Sequence, residues 1–237
     1  MALPKLNAVL YDLNLPYSKK KIQYRPFVVG EQKQLMIAME TKDEKQVMSA
    51  MKQAVAACTN NAVNVATLPL FELEYLFLHI RMKSVGEKSK IVLECNNCKA
   101  ENNVEVDLRN NEFEQKDRIK DSVIFLTDKI AVRMKMPNLN VIQSVQELAK
   151  EGSETELMFQ VAVECIEAIL EEENEYVIDD SNKDELQEFV NSLSTEQFMK
   201  MQDWFENMPV LKVKVEHTCE NCKHDMSTHI QGISNFF

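Results

Sequence analysis

The chain writes nearly the same six residues twice, CNNCKA from Cys95 to Ala100 and CENCKH from Cys219 to His224. Each CxxC sits on an alternating apolar run and is followed by a lysine, Lys99 or Lys223. Zn²⁺ in a structural site takes four ligands in a tetrahedron, often four thiolates. A CxxC in a tight turn presents two sulfurs on one side, and two such turns from two hairpins close the tetrahedron in the manner of a zinc ribbon. Cys95, Cys98, Cys219 and Cys222 are therefore expected to hold one structural Zn²⁺. Two distant regions of the chain must then meet. Four thiolates leave no open coordination position, so such a site clamps rather than catalyses. The ammonium groups of Lys99 and Lys223 would offset part of its negative charge. Asn96, Asn97 and Asn221 suit backbone conformations that most residues avoid. Two alternatives are four reduced thiols in two turns, and a redox dithiol, which would need a βαβ context that is missing. His217 and His224 lie near enough to substitute as ligands, but four thiolates already fill the shell.

The chemistry of thiols depends on where the chain resides. No stretch approaches the roughly 20 apolar residues of a membrane span. The N-terminus has neither the apolar core nor the cleavage site of a signal peptide. A soluble protein in a reducing cytosol is expected, and there regularly spaced cysteines are metal ligands rather than disulfides. Cys58 and Cys165 fall in helical stripes and read as small core residues.

Apolar periodicity places the two CxxC phrases in a larger order. AVLYDLNLPYSKKKIQYRPF alternates in two runs and reads as a β-hairpin with Val9, Tyr11, Leu13 and Leu15 on one face. Its basic stretch, Tyr17 to Arg25, is a solvated tip. Helical periods follow in EQKQLMIAME and, behind a cap at Asp43, in DEKQVMSAMKQAVAACT. A third helix, LPLFELEYLFLHIRMKSVG, has Pro69 near its start and Gly86 past its end. It is so apolar that it must be buried on several sides, in this fold or under a partner. Ile91 and Leu93 alternate before the first CxxC, and Val104, Val106 and Leu108 after it. Two short strands follow over DSVIFLTDKIAVRMKMP. The chain then turns helical: VIQSVQELAKEG behind Asn138 or Asn140, ETELMFQVAVECIEAILEEE, SNKDELQEFVNSL, and STEQFMKMQDWFENM behind the Ser194 and Gln197 capping box. Val213 and Val215 lead into the second CxxC.

This order has no βαβαβ rhythm, so the fold class is α+β. Three regions are expected: 1–88, an N-terminal β-hairpin with packed helices; 89–137 with 210–237, a split zinc-ribbon-like pair of CxxC β-hairpins; and 138–209, a helical insertion between them.

The remaining signals favour structure over catalysis. Four glycines in 237 residues leave no Gly-rich phosphate loop. His79 reads as a core histidine rather than a base. The run EEENEYVIDD, Glu171 to Asp180, matches no calcium loop and reads as a solvated acidic linker. Most of the 13 methionines fall at helical core spacing. No nucleophile–base or paired-carboxylate constellation is present, so the chain is not expected to be an enzyme or to take a small-molecule substrate.

Two stretches, Tyr11 to Glu40 and Leu68 to Glu87, carry a resemblance. The first runs strand, LP, Ser-Lys turn, RPF and a Glu-rich helix; the second is LPLFELEYLFLHIRMKSVGE. With the CxxC hairpin and VEVDL that follow, about the first 110 residues resemble the T4-type bacteriophage baseplate protein family, whose members serve in building the central hub of a contractile tail. The resemblance implies no enzymatic activity. It implies other baseplate hub and tail proteins as partners, no membrane, and residence in the host cytoplasm during assembly or in the virion. Arg25, Pro26, Phe27, Phe71, Glu74, Tyr75 and Arg81 would be packing or partner-docking positions. The alternative is a zinc-ribbon module that binds nucleic acid. A net charge of −11 argues against it. So do Glu94, Glu101, Glu105, Asp107, Glu216, Glu220 and Asp225 on the two hairpins, where nucleic acid would require Lys, Arg and aromatics.

Overall fold

The computed structural model describes residues 8–41, 43–114, 122–148 and 154–232. The chain forms two compact units, one of residues 1–114 with 210–237 and one of residues 115–209.

The first unit begins with the hairpin β1 (Tyr11–Asn14) and β2 (Lys21–Tyr24), paired from Tyr11↔Tyr24 to Asn14↔Lys21. Leu13, Leu15, Ile22 and Tyr24 turn inward, whereas Val9 stays in solvent. Three helices follow: α1 (Val29–Glu40), α2 (Glu44–Cys58) and α3 (Leu70–Val85). Asp43 caps α2 by accepting the Lys45 N–H at 2.9 Å. Pro69 opens α3, and Gly86, at φ 109°, stops it in a conformation closed to residues with a Cβ. Leu73, Leu76, Phe77, Leu78 and Ile80 of α3 are at most 1% exposed. The helix is thus buried on several sides by its own unit, and each such side chain contributes about 1.5–3 kcal/mol. Next come β3 (Lys88–Glu94) and β4 (Glu101–Asp107), paired from Lys88↔Asp107 to Glu94↔Glu101 with the first CxxC at the tip. A short strand, β5 (Asn111–Glu114), ends this part.

The second unit is a four-stranded antiparallel sheet with helices. Its strands are β6 (Val123–Phe125), β7 (Ile130–Met134), β8 (Ile166–Glu171) and β9 (Asn174–Val177), in that spatial order. Between and after them run α4 (Leu139–Leu148), α5 (Glu154–Glu164), α6 (Lys183–Ser192) and α7 (Thr195–Glu206). Asn138 caps α4 through the Val141 N–H. The Ser194–Gln197 capping box is closed in both directions, at 3.2 and 2.8 Å. Val132, Met134, Cys165, Ile166 and Met201 form the centre of its core.

Two expectations fail here. The stretch from Glu154 to Glu173 is not one helix: it breaks at Cys165, and Ile166 onward is β8. Pairing of Ile166, Ala168, Ile169 and Leu170 with β7 overrides the helical preference of the glutamates, alanine and leucine. The acidic run from Glu171 is no linker, because Glu172, at φ 53°, turns the chain into β9. The insertion is therefore mixed rather than helical. It starts at residue 115, because β7 pairs with both β6 and β8.

The chain returns to the first unit in β10 (Val210–Thr218) and β11 (Asp225–Gln231), the hairpin of the second CxxC. β5 pairs along β10 from Glu114↔Val210 to Asn111↔Val213. Leu78 and Met82 of α3, Val104 and Val106 of β4, and Val213 and Val215 of β10 share one core. The N-terminal helices and the CxxC hairpins therefore form one unit, not two regions.

Candidate metal centre

Each CxxC turn is built the same way. The Cys95 N–H donates to Ala100 O at 2.9 Å and the Lys99 N–H to Cys95 O at 2.9 Å; the Cys219 N–H donates to His224 O at 2.9 Å and the Lys223 N–H to Cys219 O at 3.0 Å. Lys99 and Lys223 take the left-handed conformation, at φ 61° and 59°. The asparagines do not, which corrects the reading of Asn96, Asn97 and Asn221. The turn requires its positive φ one residue after the second cysteine, so the strain falls on the lysines. Lys99 directs its ammonium to Glu94, at 3.2 Å.

The hairpins bring all four sulfurs together. Cys95 Sγ lies 3.7 Å from Cys222 Sγ, and Cys98 Sγ 3.7 Å from Cys219 Sγ. All four atoms lie within 4.8 Å of one another. These are not disulfides, which need about 2.05 Å. A tetrahedron with Zn–S bonds of about 2.3 Å has edges of about 3.8 Å, so the cage fits that ion. Cys95 and Cys219 are buried, and Cys98 and Cys222 partly so.

Donors surround the sulfurs. Asn97 Nδ2 reaches Cys222 Sγ, and Asn221 Nδ2 reaches Cys98 Sγ, both at 3.6 Å. Each turn therefore donates to a sulfur of the other. The Cys222 backbone N–H, helped by that of Asn221, holds the Cys219 thiol down to about 6 against the cost of burial. Thiolate is the form that binds metal. One link between the turns involves no sulfur. Asn102, 2% exposed, accepts the Glu220 N–H at 2.9 Å through Oδ1 and donates to Ala100 O at 2.9 Å through Nδ2. Sequence reading missed Asn102, although the alternation that turns Val104 and Val106 inward turns Asn102 inward too. His217 and His224 contribute no atom to the cluster.

Comparison with known proteins settles the family. The sequence model of the family described as T4 bacteriophage base plate protein matches residues 8–237. The chain belongs to the T4 bacteriophage base plate protein family. The match extends well past the first 110 residues. No curated protein and no solved structure matches the chain. Membership makes this a phage baseplate component whose contacts are with other baseplate proteins. No helix among the described residues is long and apolar enough to cross a membrane.

The positions that the resemblance marked in this baseplate protein lie in the first unit, away from the cysteine cluster in sequence. Arg25 grips Glu31 with both terminal guanidinium nitrogens, at 2.6 and 2.8 Å, and Glu31 also accepts the Val28 N–H. The Phe27 ring lies 5.8 Å from Phe77, and its N–H bonds Ser84 Oγ. Arg81 binds the carbonyls of Gly86 and Lys88 at the end of α3. Phe71 and Tyr75 both pack on Phe113, at 5.9 and 5.3 Å between centroids. Tyr75 also meets His79 at 4.4 Å. Burial raises Glu74 to about 7 and lowers His79 to about 4. Glu72, adjacent to these, is a buried carboxylate that accepts the N–H groups of Tyr17 and Ser18, both at 2.7 Å, and so fastens the β1–β2 turn to α3.

Proposed function

We propose that this baseplate protein acts without catalysis in assembling the central hub, as a hub subunit or a hub assembly chaperone, and that a structural Zn(Cys)4 site fixes the frame it docks with. The convergence of four sulfurs at tetrahedral spacing, in a member of a baseplate family, carries the reading. Cys95, Cys98, Cys219 and Cys222 would hold the ion. Bound zinc would tie two hairpins that are otherwise joined by apolar packing, the Asn102 bridge and the two hydrogen bonds from Asn97 and Asn221 to sulfur. Asn97 and Asn221 would orient and partly neutralise the thiolates, which is the task of groups around a metal's ligands.

Element analysis of protein purified without chelator tests the metal: one zinc per chain is expected, and a ratio near zero refutes the site. Mass spectrometry of purified particles tests the role. A fixed copy number identifies a hub subunit, and absence identifies an assembly factor of the host cytoplasm. The competing zinc-ribbon reading, nucleic-acid binding, is disfavoured by charge. Residues 115–209 carry 21 acidic and nine basic side chains, and the hairpin tips are acidic. A salt-sensitive gel shift with DNA or RNA at low ionic strength would reverse that preference.

A further inference from the structure

Helix α1 has two apolar faces, and its unit uses only one. Leu35 and Ala38 are buried. On the opposite side Val29, Met36 and Ile37 are 82%, 54% and 51% exposed. Spacings of seven and eight residues place these three on one stripe. Gly30 borders the stripe, and nothing lies within 4 Å of where its Cβ would stand, so another backbone can approach closely. Lys33 and Glu40 lie along the centre of the same stripe, both exposed. Seven residues apart, they are about 10 Å apart along the axis, too far to pair within the helix. Neither belongs to an ion pair among the described residues.

The order of these residues is self-complementary. Two copies of α1 laid antiparallel about a two-fold axis between Met36 and Ile37 bring residue 33 opposite 40, and 36 opposite 37. Lys33 of one copy then faces Glu40 of the other, twice, around a Met–Ile centre. A symmetric contact uses one patch on both subunits, which is the commonest form of homo-oligomer. From this charge complementarity we infer that the exposed face of α1 docks a second copy of this chain. The inference is independent of the metal and of the hub role.

The test is sedimentation velocity on the full chain over a wide concentration range, with circular dichroism confirming that each variant folds. The wild type should show a concentration-dependent monomer–dimer equilibrium. Ile37→Glu, at an exposed site, should be monomeric. Lys33→Glu and Glu40→Lys each replace two attractions by two repulsions and should each weaken the dimer about tenfold. The double variant restores opposite charges and should recover the wild-type constant. A wild type that stays monomeric at its solubility limit would overturn the inference. So would a dimer indifferent to Ile37→Glu, or a double variant no tighter than the singles.

Discussion

Asn102→Ala separates the contribution of the bridge from that of the four cysteines. The substitution removes the acceptor of the Glu220 N–H and the donor to Ala100 O, both at 2.9 Å, from a side chain that is nearly inaccessible to water. Each lost bond of this kind costs about 1–3 kcal/mol when it leaves a polar group poorly solvated. The four cysteines themselves are untouched. The loss should therefore appear as weaker metal binding, by about tenfold to a hundredfold, the usual effect of removing a group that supports a metal's ligands. Competition with a chromogenic chelator at neutral pH reads the affinity directly. Asn103→Ala, one residue along β4 and exposed, is the control that shares chemistry and strand but not the bridge. If Asn102→Ala and Asn103→Ala hold zinc equally well, the bridge does not support the site and the argument from buried hydrogen bonds fails here.

Other outcomes follow from the same geometry. A strong chelator should lower the unfolding midpoint of the first unit, followed by far-ultraviolet circular dichroism. It should leave the transition of the second unit, reported by the fluorescence of the only tryptophan, Trp204, in place. Glu74→Gln should stabilise the protein at pH 8. Glu74 titrates near 7 in the fold against an ordinary 4.5, so the native state binds the extra proton between those values and loses stability as pH rises through them. The gap corresponds to about 3 kcal/mol, and the gain measured by urea unfolding should shrink to nothing by about pH 4.5. Glu72→Ala should cost about 3 kcal/mol by the same assay, because the N–H groups of Tyr17 and Ser18 lose their common acceptor.

The sequence announced what local chemistry dictates. The CxxC turns, the caps at Asp43 and Ser194, and the stop at Gly86 are decided by residues close together, and all stand where periodicity put them. The four cysteines were legible as a set because two turns repeat one phrase. What failed to show were features decided at a distance. Ile166 to Leu170 carries the composition of a helix, and only the presence of β7 beside it makes it a strand. Lys99 and Lys223 look unremarkable until the turn assigns them its left-handed position. Glu72 sits among apolar neighbours on α3 and gives no hint that the turn at Tyr17 and Ser18 lies over it. The outward face of α1 is hidden in a different way: apolar residues on both sides of a helix blur its period, and exposure alone tells them apart.

The pairing of Glu114 with Val210 has a consequence for how this baseplate protein can vary. The strand that the chain leaves and the strand on which it resumes are neighbours in one ladder, so the host framework sees only a short gap, whatever fills it. A guest segment of another length or architecture could be accommodated there without moving Cys95, Cys98, Cys219 or Cys222. Descendants of one frame could thus carry different appendages toward different neighbours while keeping the same clasp.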